Sequence, residues 1–143
     1  MTYNQGLSLV TLPKVMAICQ LDASARVPGW ACGPDFFSVT RTRDELSIVC
    51  PAANVPEGTR CEKGWRCLKV QGPLDFSLTG ILASLAGPLA HAGIAIFVVS
   101  TYATDYLLIR ERDVELAVQV LAENGHEVEC PSYTQPTDGQ PGT

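Results

Sequence analysis

The chain has 143 residues, 46% hydrophobic and 17% charged, which suits one packed domain or two very small ones sharing a core and excludes general disorder. Net charge is −5 with a pI near 4.9, and the ten Lys and Arg residues are scattered, so no nucleic-acid partner is expected. The start, Met1 to Gly6, is polar and uncharged, and the most apolar window, residues 81–99, is broken by Pro88, His91 and Gly93; no secretory signal and no membrane span are expected, and the reading is a cytoplasmic protein.

Six cysteines (Cys19, Cys32, Cys50, Cys61, Cys67 and Cys130) include no C-x-x-C pair, and neither His lies at ligand spacing from a Cys. Reduced thiols are expected, with no metal and no cofactor.

In chain order, residues 7–12 alternate loosely and stop at Pro13, which reads as a strand, and residues 15–21 form a second. Residues 22–35, with Pro28-Gly29 and Gly33-Pro34, read as a loop holding at most one helical turn. Residues 36–41 and 45–50 form a strand pair around Thr42-Arg43-Asp44. After Pro51 the segment carrying Pro56, Gly58 and Gly64 can hold only a short helix, and residues 65–71 alternate into a further strand.

A helix is expected over 78–92, since Ile81, Leu82, Leu85, Leu89 and Ala92 share a face. Asp75, Ser77 and Thr79 each carry the oxygen an N-cap needs, and Gly93 is placed to end the helix. Pro88 removes one helical hydrogen bond, so a kink near 84–88 is expected. Residues 94–99 are apolar on both faces and read as an interior strand. Residues 105–110 form the next strand, Asp113 caps a helix over 113–124, and Gly125 ends it. A short strand over 126–130 begins with an exposed His126, and the Pro- and Gly-rich residues 131–143 form a disordered tail. From residue 65 onward the order is βαββαβ, a ferredoxin-like unit.

The first half carries a worn echo of the second. Phe36, Thr40, Asp44, Leu46 and Ile48 recur as Phe97, Thr101, Asp105, Leu107 and Ile109, each 61 positions later, as does Leu7 as Leu68. The expected fold class is therefore α+β, two ferredoxin-like βαββαβ units in tandem, the first degenerate, over residues 1–64 and 65–130.

The second copy resembles an ACT domain, on the phrase Asp75-x4-Gly80-Ile81-Leu82-Ala83-x-Leu85-Ala86, followed by Ala92-Gly93-Ile94. With LDFSLTGILA and STYATDYLLIRE in the second copy and SVTRTRDELSIVCP in the first, the chain resembles the tandem ACT proteins of the CASTOR-related family over about residues 7–130. That resemblance implies two ACT-type units, non-catalytic regulatory binding of a free amino acid at loops or an interface, and a homodimer or a partner protein. The implied site is Asp75, Phe76, Ser77, Leu78, Thr79, Gly80 and Ile81 before the helix, with Thr101, Tyr102, Ala103, Thr104 and Asp105 in the turn.

The chemistry fits that implication. A helix start offers N–H groups and partial positive charge to a carboxylate, Gly80 allows close approach, and Asp105 can pair with an ammonium group. Thr101 and Thr104 are neutral hydrogen-bonding groups, and Phe76 and Tyr102 can shape a side-chain pocket. By residue type alone, Asp105 could equally just end the turn, and Ser77 or Thr79 just cap the helix. The two loops need not meet within one unit, so closure by a neighbouring unit is expected. No catalytic constellation such as a G-x-S-x-G elbow is present, and the competing reading is a ligand-free ACT-like assembly module.

Overall fold

The computed structural model describes residues 6–72, 74 and 79–130. The strands are β1 Ser8–Leu21, β2 Ser38–Arg41, β3 Leu46–Pro51, β4 Cys61–Val70, β5 Ile96–Ser100, β6 Asp105–Arg110 and β7 Glu127–Glu129. Helices α1, Ile81–His91, and α2, Val114–Glu123, lie in the second half; among its described residues the first half has only the 3-10 turns Gly29–Ala31 and Ala52–Asn54. Neither helix is long and apolar enough to cross a membrane.

All seven strands join one sheet in the order β2-β3-β1-β4-β6-β5, with β7 parallel to the start of β1. Long antiparallel strands β1 and β4 form its centre. Each runs through both halves: β1 meets β7 at Ser8–Val10 and β3 at Met16–Leu21. The two strands expected on either side of Pro13 are thus one strand. Pro13 cannot donate to the ladder, and the register with β4 shifts between Thr11 and Val15, where a bulge tolerates it.

The helices cover one face of the sheet. Leu68 and Val70 of β4 and Leu107 and Ile109 of β6 pack under Ile81, Leu85 and Leu89 of α1 and Ala117 and Leu121 of α2. Strand alternation sends Cys67 and Leu108 to the other face, where they meet Met16, Val49 and Trp65. In the first half Ala31 and Val55, beside the 3-10 turns, cover Ala17, Cys19, Leu46, Ile48 and Cys50 where helices would otherwise lie. The sheet curls until edge strands β2 and β5 face each other across a groove of about 240 Å³ lined by Ser38, Thr40, Ser47, Val49, Val98 and Ser100. β5 is therefore an edge strand and not the interior strand expected from its apolar faces.

α1 runs unbroken through Pro88. The missing N–H at Pro88 leaves the Ser84 carbonyl without its helical donor, and the ring of His126 supplies one, Nε2 lying 3.1 Å from that oxygen. The other ring nitrogen, Nδ1, accepts the Leu7 N–H at 3.0 Å. These two bonds define the neutral tautomer with its proton on Nε2. His126 is 5% exposed, so the expectation of a surface histidine is overturned. Both helices end as the sequence leads one to expect: Gly93 N–H bonds Ala90 O and Ile94 N–H bonds Leu89 O, and the same pattern recurs at Gly125 and His126. Asp113 makes no side-chain capping bond, because the 3-10 turn Glu111–Asp113 already leads into α2.

Candidate functional site

The described residues of the expected site flank the end of β4 and the start of β6. Those strands are antiparallel neighbours, with Lys69 opposite Tyr106, so the loop leaving β4 and the β5–β6 turn emerge side by side. The Leu74 N–H donates to the Ala103 carbonyl at 2.8 Å, and the Thr104 hydroxyl donates to the Val70 carbonyl at 2.7 Å. Gly72 eases this approach: a Cβ there would lie 3.2 Å from both Ala103 O and Thr104 Cβ, close enough that these atoms would have to give by a few tenths of an ångström. The exit of β4 at Gly72 and Leu74 thus lies against the β5–β6 turn within one chain.

The turn is internally bonded. The Thr101 N–H donates to Thr104 O at 2.9 Å, the Thr101 hydroxyl to the same oxygen at 3.1 Å, and the Thr104 N–H to Thr101 Oγ1 at 3.3 Å. Both threonine hydroxyls therefore brace the turn, and Thr104 is buried. Asp105 is half-buried, opposite Ser100 at the start of β6, while Tyr102 stands at the tip of the turn, 85% exposed.

On the helix side the N-cap is Gly80, with φ 83° and ψ 0°, a left-handed conformation that favours glycine. A glycine brings no capping side chain, so the start of α1 at Ile81 is not closed by its own N-cap residue. Thr79 precedes it and is exposed. Asp75, Phe76, Ser77 and Leu78 lie outside the described residues. Among the described residues no group of His, Cys, Asp or Glu side chains is arranged to hold a metal ion.

The first half contains the same turn with different chemistry around it. The Thr42 N–H donates to Glu45 O at 2.9 Å, and the Glu45 N–H to Thr42 Oγ1 at 3.2 Å, as at Thr101 and Thr104. The hairpins close on Arg41–Leu46 and Ser100–Asp105, so the equivalent residues are 59 positions apart. The 61-residue pattern aligns Asp44 with Asp105, whereas the fold aligns buried Leu46 with it. Arg41, the counterpart of Ser100, turns its guanidinium onto the carbonyls of Ala23 and Ala25. Sequence reasoning missed Arg41 and His126, since each acts through backbone carbonyls brought to it by tertiary structure.

Comparison with known proteins fits this geometry. The family model of the ACT domain matches residues 60–123, and a separate model, of an N-terminal domain, matches residues 15–58. The cytosolic arginine sensor for mTORC1 subunit 1 of Bos taurus is 40% identical over 98 residues, 61% of this chain and 30% of the sensor. The human putative protein CASTOR3P is 31% identical over 100 residues, 61% of each chain. The chain thus spans under a third of the sensor's length. Among solved structures, protein Atu0741 from Agobacterium tumefaciens superposes with a TM-score of 0.85 at 44% identity, covering 90% of this chain and 96% of that one. The regulatory subunit of aspartate kinase from Thermus flavus shares the fold, with a TM-score of 0.57 at 12% identity over 81% of this chain and 95% of that one.

Proposed function

This chain belongs to the ACT-domain family, in the group related to the CASTOR proteins, and on that premise we propose that it is a non-catalytic regulatory protein that binds a free amino acid between the β4–α1 loop and the β5–β6 turn. The observation that supports the reading is the junction where the Leu74 N–H bonds the Ala103 carbonyl, which brings the start of the β4–α1 loop against the turn that leads into Asp105. The backbone at 77–81 takes the ligand carboxylate, and Asp105 takes its ammonium group. Phe76 and Tyr102 shape the side-chain pocket, with Asp75, Leu78, Thr79 and Ala103 completing the wall. Thr101 and Thr104 hold the turn in shape.

The chain is read as a duplicated unit, residues 1–64 and 65–130, whose first strands β1 and β4 lie side by side at the centre of the sheet. The first copy has lost its helices and, with Leu46 and Arg41 in the decisive places, its ligand site. A homodimer and a cytosolic location belong to the same reading, the latter carried by the likeness to a cytosolic sensor. A ligand-free assembly module is the second reading, favoured by the two edge strands β2 and β5.

A thermal-shift panel of the twenty amino acids separates them. A ligand at a hundredfold its Kd adds about 2.7 kcal/mol, enough to raise Tm by roughly 5–15 °C in a chain of this size. One amino acid or a small related set is expected to do so; no shift at millimolar concentration with any of the twenty rejects the binding reading.

A further inference from the structure

Three of the six cysteines gather at the end of the sheet far from the ligand loops. Cys19 on β1 is directly opposite Cys61 on β4, and Cys50 on β3 is opposite Ala17, two residues along β1 from Cys19. Cys50 and Cys61 lie close enough to the Cys19 thiol that, after burial, they add to what pushes its pKa up, and all three are free. Cys19 is 2% exposed and Cys50 fully buried, whereas Cys61 is half-buried. Cys19 and Cys61 also line a groove of about 300 Å³ whose rim carries Gln20, Arg60 and Glu62, so small polar molecules can reach the pair.

The pairing decides which two sulfurs can be joined. The Gln20 N–H donates to Arg60 O at 3.0 Å, which makes Cys19 and Cys61 a non-hydrogen-bonded cross-strand pair. In such a pair the Cα atoms lie about 4.5 Å apart, inside the range of roughly 4.4–6.8 Å that a disulfide spans. Cys50 is diagonal to Cys19, at about 7–8 Å for that relation, and so is placed beyond it.

From this geometry we infer that Cys19 and Cys61 are a site of reversible oxidation, closing a disulfide between the two central strands when a small hydroperoxide enters the groove. Sγ of Cys61, the more accessible, attacks the peroxide; the O–O bond breaks, the sulfur becomes a sulfenic acid, and the alcohol or water leaves. Sγ of Cys19 then attacks Cys61 Sγ, the S–O bond breaks, and the hydroxyl departs as water with the thiol proton. The two sulfurs give up two electrons and the peroxide gains them. A thiol reductant reverses the bond. The bridge ties β1 to β4 at the seam of the two halves.

Native protein is treated with hydrogen peroxide, remaining thiols are alkylated, and the chain is digested with trypsin without reduction. Peptide 15–26, holding Cys19, is expected linked to peptide 61–63, holding Cys61, with the loss of two hydrogens and release by dithiothreitol. The link is expected to persist in Cys50→Ser and to vanish in Cys61→Ser. A link from Cys19 to the peptide holding Cys50, or a Cys19–Cys61 link formed as readily in urea as in the native state, would overturn the assignment. So would oxidation of Cys61 to sulfinic acid with no link. Mapping on the unsubstituted chain keeps the test independent of whether the variants fold.

Discussion

His126 shows how much one side chain holds here. It satisfies the Ser84 carbonyl orphaned by Pro88 and the N–H of Leu7, both in the interior between α1, β7 and the chain start. His126→Ala leaves one buried and one part-buried backbone group unpaired and is expected to cost roughly 2–4 kcal/mol. Urea unfolding reads this as a lower midpoint at unchanged slope; a loss under about 0.5 kcal/mol would contradict the bridging role. The histidine was not legible as a core residue. Gly-His-Glu looks like a polar strand start, and the partner that makes burial affordable lies 42 residues away.

Cys67 gives a second prediction at this scale. It is fully buried, and burial pushes its thiol from 9.0 up to about 12. The unfolded chain releases the proton above about pH 9 while the folded one holds it, so this contribution to stability is complete below pH 9 and lost as pH rises toward 12. The slope is about 1.4 kcal/mol per pH unit for one fully buried thiol. Cys67→Ala should unfold less steeply with rising pH over that window than the unsubstituted protein. Parallel alkaline curves would show that the thiol stays unlinked to folding.

Among the elements, α1 offers the sharpest test. Pro88→Ala restores an N–H that can reach the Ser84 carbonyl, so the helix no longer depends on His126 for that bond. The cost of His126→Ala should therefore fall by about 1 kcal/mol in the Pro88→Ala background. Equal costs in the two backgrounds, within about 0.3–0.5 kcal/mol, would separate the histidine from the proline. Element types and approximate bounds were legible: both helices, the two glycine ends and the strands from residue 65 onward carry strong periodicity and clear stop signals, whereas the start of β4 at Cys61 was hidden by Gly58 and Gly64. Pro13 misled, because a bulge lets the strand continue past it. β5 misled because apolar residues on both faces report burial, and an edge strand under helices on one side and a filled curl on the other is equally apolar.

At the scale of the whole molecule, the likeness between the two hairpins was legible but its register was not. The sequence pattern aligns the halves at 61 and the hairpins align them at 59. A slip of two residues keeps every strand side chain on the same face, so hydrophobic alternation cannot tell the two apart. Only the matching turn bonds at Thr42 and Thr101 fix it. The consequence is functional: Asp105 has no carboxylate counterpart in the first half, and Asp44 is a turn residue. The contact of the β4 exit with the β5–β6 turn was also hidden in the sequence, since it follows from the neighbouring of β4 and β6.

The central claim is that this junction binds an amino acid through Asp105. Calorimetric titration of the amino acid that raises Tm most, into the unsubstituted protein, Asp105→Ala and Asp44→Ala, tests it directly. Loss of a charge-assisted contact is expected to weaken binding by at least about tenfold in Asp105→Ala, equivalent to about 1.4 kcal/mol, with the folded state intact, and to leave Asp44→Ala unchanged. Equal affinity in Asp105→Ala and the unsubstituted protein, or a loss confined to Asp44→Ala, would contradict the account.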